Sequence, residues 1–128
     1  MHMKVFNLSY DQSTKLPKGQ NPLERKELLS ILISDGIIDL GTTFRITDAF
    51  DRVTDSPYVV YPVKTTIVFH SIKNREDILP TLNKLSSRMF YILTEVHQDQ
   101  NLYLGSLRGD EALQKECSKE IQEIMEGK

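Results

Sequence analysis

One cysteine in 128 residues, Cys117, rules out an intramolecular disulfide and leaves any thiolate zinc site short of ligands. A reducing interior fits such a chain best. No stretch approaches the roughly 20 consecutive apolar residues that a membrane helix requires. The opening MHMKVF lacks the charged-then-apolar layout of a secretion signal, so a cytoplasmic protein with no membrane partner is expected. Met1 and His2 read as an addition ahead of a natural Met3, which removes His2 from functional consideration. Runs of one charge are missing too. The 16 Lys and Arg residues are spread from Lys4 to Lys128 against 18 Asp and Glu, and a formal charge of −2 gives no general attraction to polyanions. Any nucleic-acid contact would have to be a local patch. There is no Walker loop, dinucleotide fingerprint or nucleophile elbow.

What is present is the composition of one globular domain, 39 % apolar and 27 % charged, spanning 1–128. KVFNLSYDQ, at 4–12, alternates with period two, with Phe6, Leu8 and Tyr10 on one side and Val5, Asn7 and Ser9 on the other, and reads as a first strand ending near Asp11. Asn21, Pro22 and Glu24 then supply an N-cap, a first-turn proline and a capping-box acid for a helix whose apolar face holds Leu28, Leu29, Ile31, Leu32 and Ile33. Gly36 is placed to end it in the left-handed conformation. Residues 37–57 form an insertion with two short apolar pieces. A single helical turn around 49–53, capped by Thr47 or Asp48, would set Asp48, Asp51 and Asp55 on one face, to collect a cation or simply to be solvated.

YVVYPVKTTIVFHSI gives two strands, 58–61 and 64–72, meeting at Pro62, which cannot donate to a ladder. Asn74 caps a helix carrying Ile78, Leu82 and Leu85, in which Pro80 implies a late start or a kink. MFYILTEV, 89–96, is a further strand, HQDQN a polar turn, and 102–107 a short fifth strand. Arg108-Gly109-Asp110 reads as a turn into a terminal helix striped by Ala112, Leu113, Cys117, Ile121 and Ile124, with Cys117 a buried small residue. The order predicts an α+β, ferredoxin-like split βαβ sandwich with an insertion after the first helix and an appended strand and C-terminal helix. One sheet face would stay open unless a second copy covered it, so a homodimer is expected.

The strand running into Tyr10-Asp11, followed by a helix, a KTTIVF strand, a helix and a FYILTEV strand, resembles the small ferredoxin-like proteins that include the CRISPR-associated Cas-two adaptation subunit and the VapD-type toxin ribonucleases. The resemblance spans roughly 4–36 and 58–105. It implies a defence-related, nucleic-acid-directed protein acting on RNA or DNA. In that family two-fold dimers bring the first-strand aspartates together, and active members are proposed to hold a divalent metal there. Asp11 is then the metal ligand, for Mg²⁺, and the strand 102–107 would pair with the other subunit. The insertion at 37–57 exceeds the family's usual link.

Asp11 carries two readings, a metal ligand of a metal-dependent endoribonuclease or a turn residue bonding its own backbone. His70 in VFHSI is either a general acid or base or a surface-facing strand residue, and Tyr10 is a further catalytic candidate beside Asp11. Tyr58, Tyr61, Phe90, Tyr91 and Tyr103 would stack bases or fill the core and interface. The alternative function is a non-catalytic protein-binding module, such as a phage or mobile-element accessory, an inhibitor or an immunity protein, for which mild acidity suits docking on a basic partner.

Overall fold

The alternation at the N-terminus builds β1 (Lys4–Gln12), one residue longer than the Tyr-Asp pair. The computed structural model describes residues 4–12, 16, 18–19, 21–40, 44–48, 53–56, 59–96, 98–99, 102–107 and 111–127, with the strands between 44 and 56 and between 98 and 107 described by their backbone. The Asp110 cap, Arg108, Gly109, Tyr58 and Asp51 lie outside the described residues. Helix α1 (Arg25–Ser34) begins later than Asn21 and Pro22 suggest, with the Glu24 carbonyl accepting the Leu28 N–H at 3.0 Å. It ends as expected at Gly36, whose φ of +70° lets the chain turn back so that the Ile37 N–H reaches the Leu32 carbonyl at 2.9 Å.

β4 (Val59–Val63) contains Pro62 within the strand, and β5 (Thr66–Ser71) follows a two-residue turn. Helix α2 (Arg75–Asn83) starts directly after Asn74, whose N–H donates to the Asp77 carboxylate at 3.3 Å, and runs through Pro80 rather than starting after it. β6 (Met89–Val96) and the terminal helix α3 (Glu111–Met125) fall at the expected residues.

β4, β5, β1 and β6 form one antiparallel sheet in that order, with Phe6 opposite Phe69, Leu8 between Ile67 and Leu93, and Asp11 opposite Phe90. Among the described residues the architecture is α+β, with this four-stranded antiparallel sheet and three helices. Phe6, Leu8, Tyr10, Val59, Tyr61, Ile67 and Phe69 form the strand side of the core, with Phe6 and Phe69 stacked at 5.7 Å between ring centroids. Leu28, Leu29 and Leu32 of α1, Ile78 and Leu82 of α2, and Leu113, Cys117 and Ile121 of α3 complete it. Burying each such side chain is worth about 1.5–3 kcal/mol, which is why the helices settle on this face. Ala112 lies off the α3 stripe and is exposed.

β4 is an edge strand, and α3 seals that edge. The Gln114 side-chain amide accepts from the Tyr61 N–H (3.3 Å) and donates to the Tyr61 carbonyl, and the Cys117 thiol points to the Val59 carbonyl at 3.7 Å. These outward groups of residues 59 and 61 would otherwise be an open ladder. Pro62 adds no donor beside them.

The helical turn expected around 49–53 lies, but for Val53, outside the described residues. β2 (Phe44–Asp48) and β3 (Val53–Ser56) pair antiparallel, which places Asp48 and Asp55 on strands. β8 (Leu102–Leu107) runs parallel to β2 and antiparallel to β7 (Gln98–Asp99), the latter arising inside the expected turn HQDQN. The second sheet therefore has the order β3-β2-β8-β7, and the strand expected to reach for another subunit pairs within its own chain. Gln114→Leu is expected to lower the free energy of unfolding by about 1–3 kcal/mol in urea titration, because it leaves a donor and an acceptor of Tyr61 unpaired, whereas Gln114→Glu keeps an acceptor and loses less.

Candidate functional site

Adjacent strand residues point to opposite faces, so Tyr10 and Asp11 part company at once. Tyr10 enters the core, 8 % exposed, and its phenol is pushed up to about 12 by burial, with Arg25 pulling down and Glu120 pushing up. It keeps its proton at neutral pH and does not stand beside the Asp11 carboxylate. Asp11 is exposed on the helix-free face. It lies inside β1, in register with Phe90, rather than in a turn beyond the strand.

His70 shares that face but sits opposite Val5, six residues back along β1, which is about 20 Å from Asp11. The expectation of a surface-facing histidine is corrected, because His70 is 5 % exposed. Burial pulls its pKa below the usual value and the Asp39 charge pulls it partly back. Val5, Val60 and Val68 beside it are buried as well. The chain alone thus covers half of the face expected to be open.

The uncovered half lies along β6. Phe90 and Ile92 are 67 % and 69 % exposed on a strand whose one partner in the first sheet, among the described strands, is β1. Asp11 borders them, followed by Ser9, whose hydroxyl is 3.2 Å from that of Thr66. Among the other aromatics, Tyr61 is buried and Tyr91 half-buried, its hydroxyl donating to the Asn83 side-chain oxygen at 2.7 Å. No group of three or more His, Cys, Asp and Glu side chains among the described residues is arranged to hold a metal ion. Within one chain Asp11 supplies a single carboxylate. Mg²⁺ retains several waters and is often held by one or two carboxylates.

A second cluster was not anticipated from the sequence. The Arg25 guanidinium lies 4.4 Å from the Tyr61 ring centroid and bonds Glu120 (2.9 Å) and Glu116 (3.1 Å), while the Tyr61 hydroxyl donates to Glu120 at 2.6 Å. Lys26 meets Glu123 at 2.6 Å. Burial draws the Arg25 pKa down, but the hydrogen bond and charge of Glu120, with Glu116 and Tyr61 adding, carry the net direction upward. Burial, then the bond to Glu120, raises Tyr61, and the Cys117 thiol is pushed up to about 12 by burial and by Glu120. The Tyr61 hydroxyl and the Cys117 thiol keep their protons at neutral pH, and the ion pairs around them form a clasp between α1, β4 and α3. One signal in the sequence could have found it. Arg25 and Lys26 lie near the N-terminal end of a helix, where the macrodipole disfavours cations, so acidic partners from elsewhere stabilise them.

No family model, curated protein or solved structure matches the chain.

Arg25→Met is expected to destabilise the fold by about 2 kcal/mol in urea, between the values for exposed and fully buried pairs, since it leaves Glu120 and Glu116 without their cation. Acid lowers stability in two windows. His70 is held neutral in the fold, so the unfolded chain binds more protons and stability falls as pH drops below about 6.5. Glu27 is held below its ordinary 4.5 by the Arg88 hydrogen bond, and its contribution is lost as pH falls beneath that value. Urea midpoints measured from pH 8 to 3 should lose the upper window in His70→Gln and the lower one in Glu27→Gln.

Proposed function

We propose that the protein is a ferredoxin-like homodimer of the Cas-two and VapD kind, directed at nucleic acid, in which Asp11 of each copy lies at the subunit contact and offers a site for Mg²⁺. The strand order β4-β5-β1-β6, with a helix crossing from β1 toward β4 and another from β5 to β6, is the one a split βαβ unit requires, which supports the fold part of this reading.

The observation that carries the rest is the position of Asp11 beside Phe90 and Ile92. Two large apolar side chains exposed together on an edge strand are a liability for a monomer and an interface for a dimer. A two-fold contact through them brings two Asp11 carboxylates together, and like charges in a partly desolvated contact call for a cation between them. A bound Mg²⁺ would supply Lewis acidity and an activated water against a phosphodiester. Asp11 binds and Ser9 and Thr66 keep the adjoining strip polar, whereas Tyr10 and His70 have structural places and leave the catalytic set.

A second reading, a non-catalytic protein-binding module, is favoured by the lack, among the described residues, of any group of three or more His, Cys, Asp and Glu side chains that could hold a metal ion. Light scattering, together with labelled single-stranded RNA and duplex DNA incubated with and without Mg²⁺ or Mn²⁺, separates the two. Under the first reading the protein is a dimer, Phe90→Ser with Ile92→Ser makes it a monomer, and metal-dependent cleavage drops to background in Asp11→Ala. A dimer that neither binds nor cuts nucleic acid leaves the second.

A further inference from the structure

At the opposite edge of the sheet, α3 and the turn between β4 and β5 enclose an open cleft of about 680 Å³. Its floor is apolar, formed by Pro62, Val63 and Leu113, and Val63 remains 54 % exposed in it. Its rim carries Lys64, Lys115 and Lys119. Lys115 and Lys119 are four residues apart on one helix, so their stems project from the same side, and Lys64 faces them from the turn. The carboxylate that also borders the cleft, Glu116, is engaged by Arg25 at 3.1 Å. The three ammonium groups have no acidic partner among the described residues. The result is a local excess of positive charge around an apolar floor, on a chain whose net charge is −2.

We propose that this cleft is the docking site for an acidic segment of a partner protein, one that places an apolar side chain between carboxylates. A cleft of this size accepts one or two side chains, beyond what a single inorganic anion would fill. A nucleic-acid backbone would use the lysines and leave the apolar floor without a purpose, whereas an acidic segment with an apolar residue uses both. Strand addition is blocked at this edge, because Gln114 and Cys117 already occupy the outward backbone groups of Tyr61 and Val59. The partner therefore binds through its side chains. The walls are preorganised by one guanidinium, as Arg25 holds Glu116 of α3 and donates to the Lys64 carbonyl of the turn at 3.5 Å.

Fluorescence anisotropy of the intact protein with a short labelled peptide alternating leucine with glutamate and aspartate tests this site. The controls are the same peptide with serine for leucine and a labelled oligouridylate of equal charge. The leucine peptide should bind at least about tenfold more tightly than either control. Lys115→Glu with Lys119→Glu should weaken it by about tenfold or more, as should Val63→Asp, while Lys115→Arg with Lys119→Arg stays close to wild type. Both lysines are exposed, so an unchanged urea midpoint shows that the charge reversal leaves the fold intact. Peptide binding that is absent, that is indifferent to the charge reversal, or that the oligouridylate equals overturns the proposal. The dimer contact and Asp11 lie at the far edge of the sheet, so failure here leaves them untouched and the reverse also holds.

Discussion

The Arg25 guanidinium is the contact on which the rest of the packing turns. It joins the first turn of α1 to α3 through Glu116 and Glu120, lies over the Tyr61 ring of β4, and reaches the carbonyl of Lys64 in the turn beyond. A guanidinium can do this because its planar fork offers several donors at fixed angles and its face tolerates an aromatic ring. Arg25 and Glu120 are 16 % and 15 % exposed at the side chain, so their attraction is less screened than that of a surface pair. Losing either partner strands the other where water reaches it poorly. Apolar burial brings the helices to the sheet, but it is non-directional, and the clasp specifies where α3 lies.

That placement has two further effects. With α3 across the β4 edge, Gln114 and Cys117 take up backbone groups that would otherwise recruit another strand. Another side of the same helix, turned away from Gln114 and Cys117, presents Lys115 and Lys119 beside the β4–β5 turn. The two edges of the sheet are consequently unlike. The β4 edge is closed to backbone pairing and carries charge, while the β6 side shows Phe90 and Ile92 with Asp11 alongside. A domain whose two edges differ in this way is restricted in how it can associate.

Local pattern made much of the first sheet legible. Period-two alternation placed β1 and β6, the β-branched run indicated β4 and β5 but set their junction at Pro62, which lies inside β4, and Leu28, Leu32, Leu113, Cys117 and Ile121 marked helical stripes. The insertion was less readable. Its strands are four and five residues long, too short for alternation to be distinguished from a helical turn, and β2 finds its parallel partner β8 more than fifty residues away. The site residues divided in the same manner. Asp11 could be placed near the end of a strand, but its separation from Tyr10 and His70 depends on which face each occupies and on the register of β1 with β5. His70 looked polar and accessible, and its burial follows from the chain covering that part of the sheet.

By itself the amino-acid sequence determined the element types of the first sheet and its helices, the side of β1 that faces the core, the stop at Gly36, the absence of an intramolecular disulfide, and a mildly acidic balance. Each of these is set by neighbours a few residues apart or by composition. Tertiary structure alone decided the strand order, the second sheet, the burial of His70, the Arg25 clasp and the unlike edges. Those depend on contacts between residues far apart in the chain, such as Arg25 with Glu120 and Tyr61 with Gln114, whose partners become neighbours only when apolar burial has folded the backbone around them.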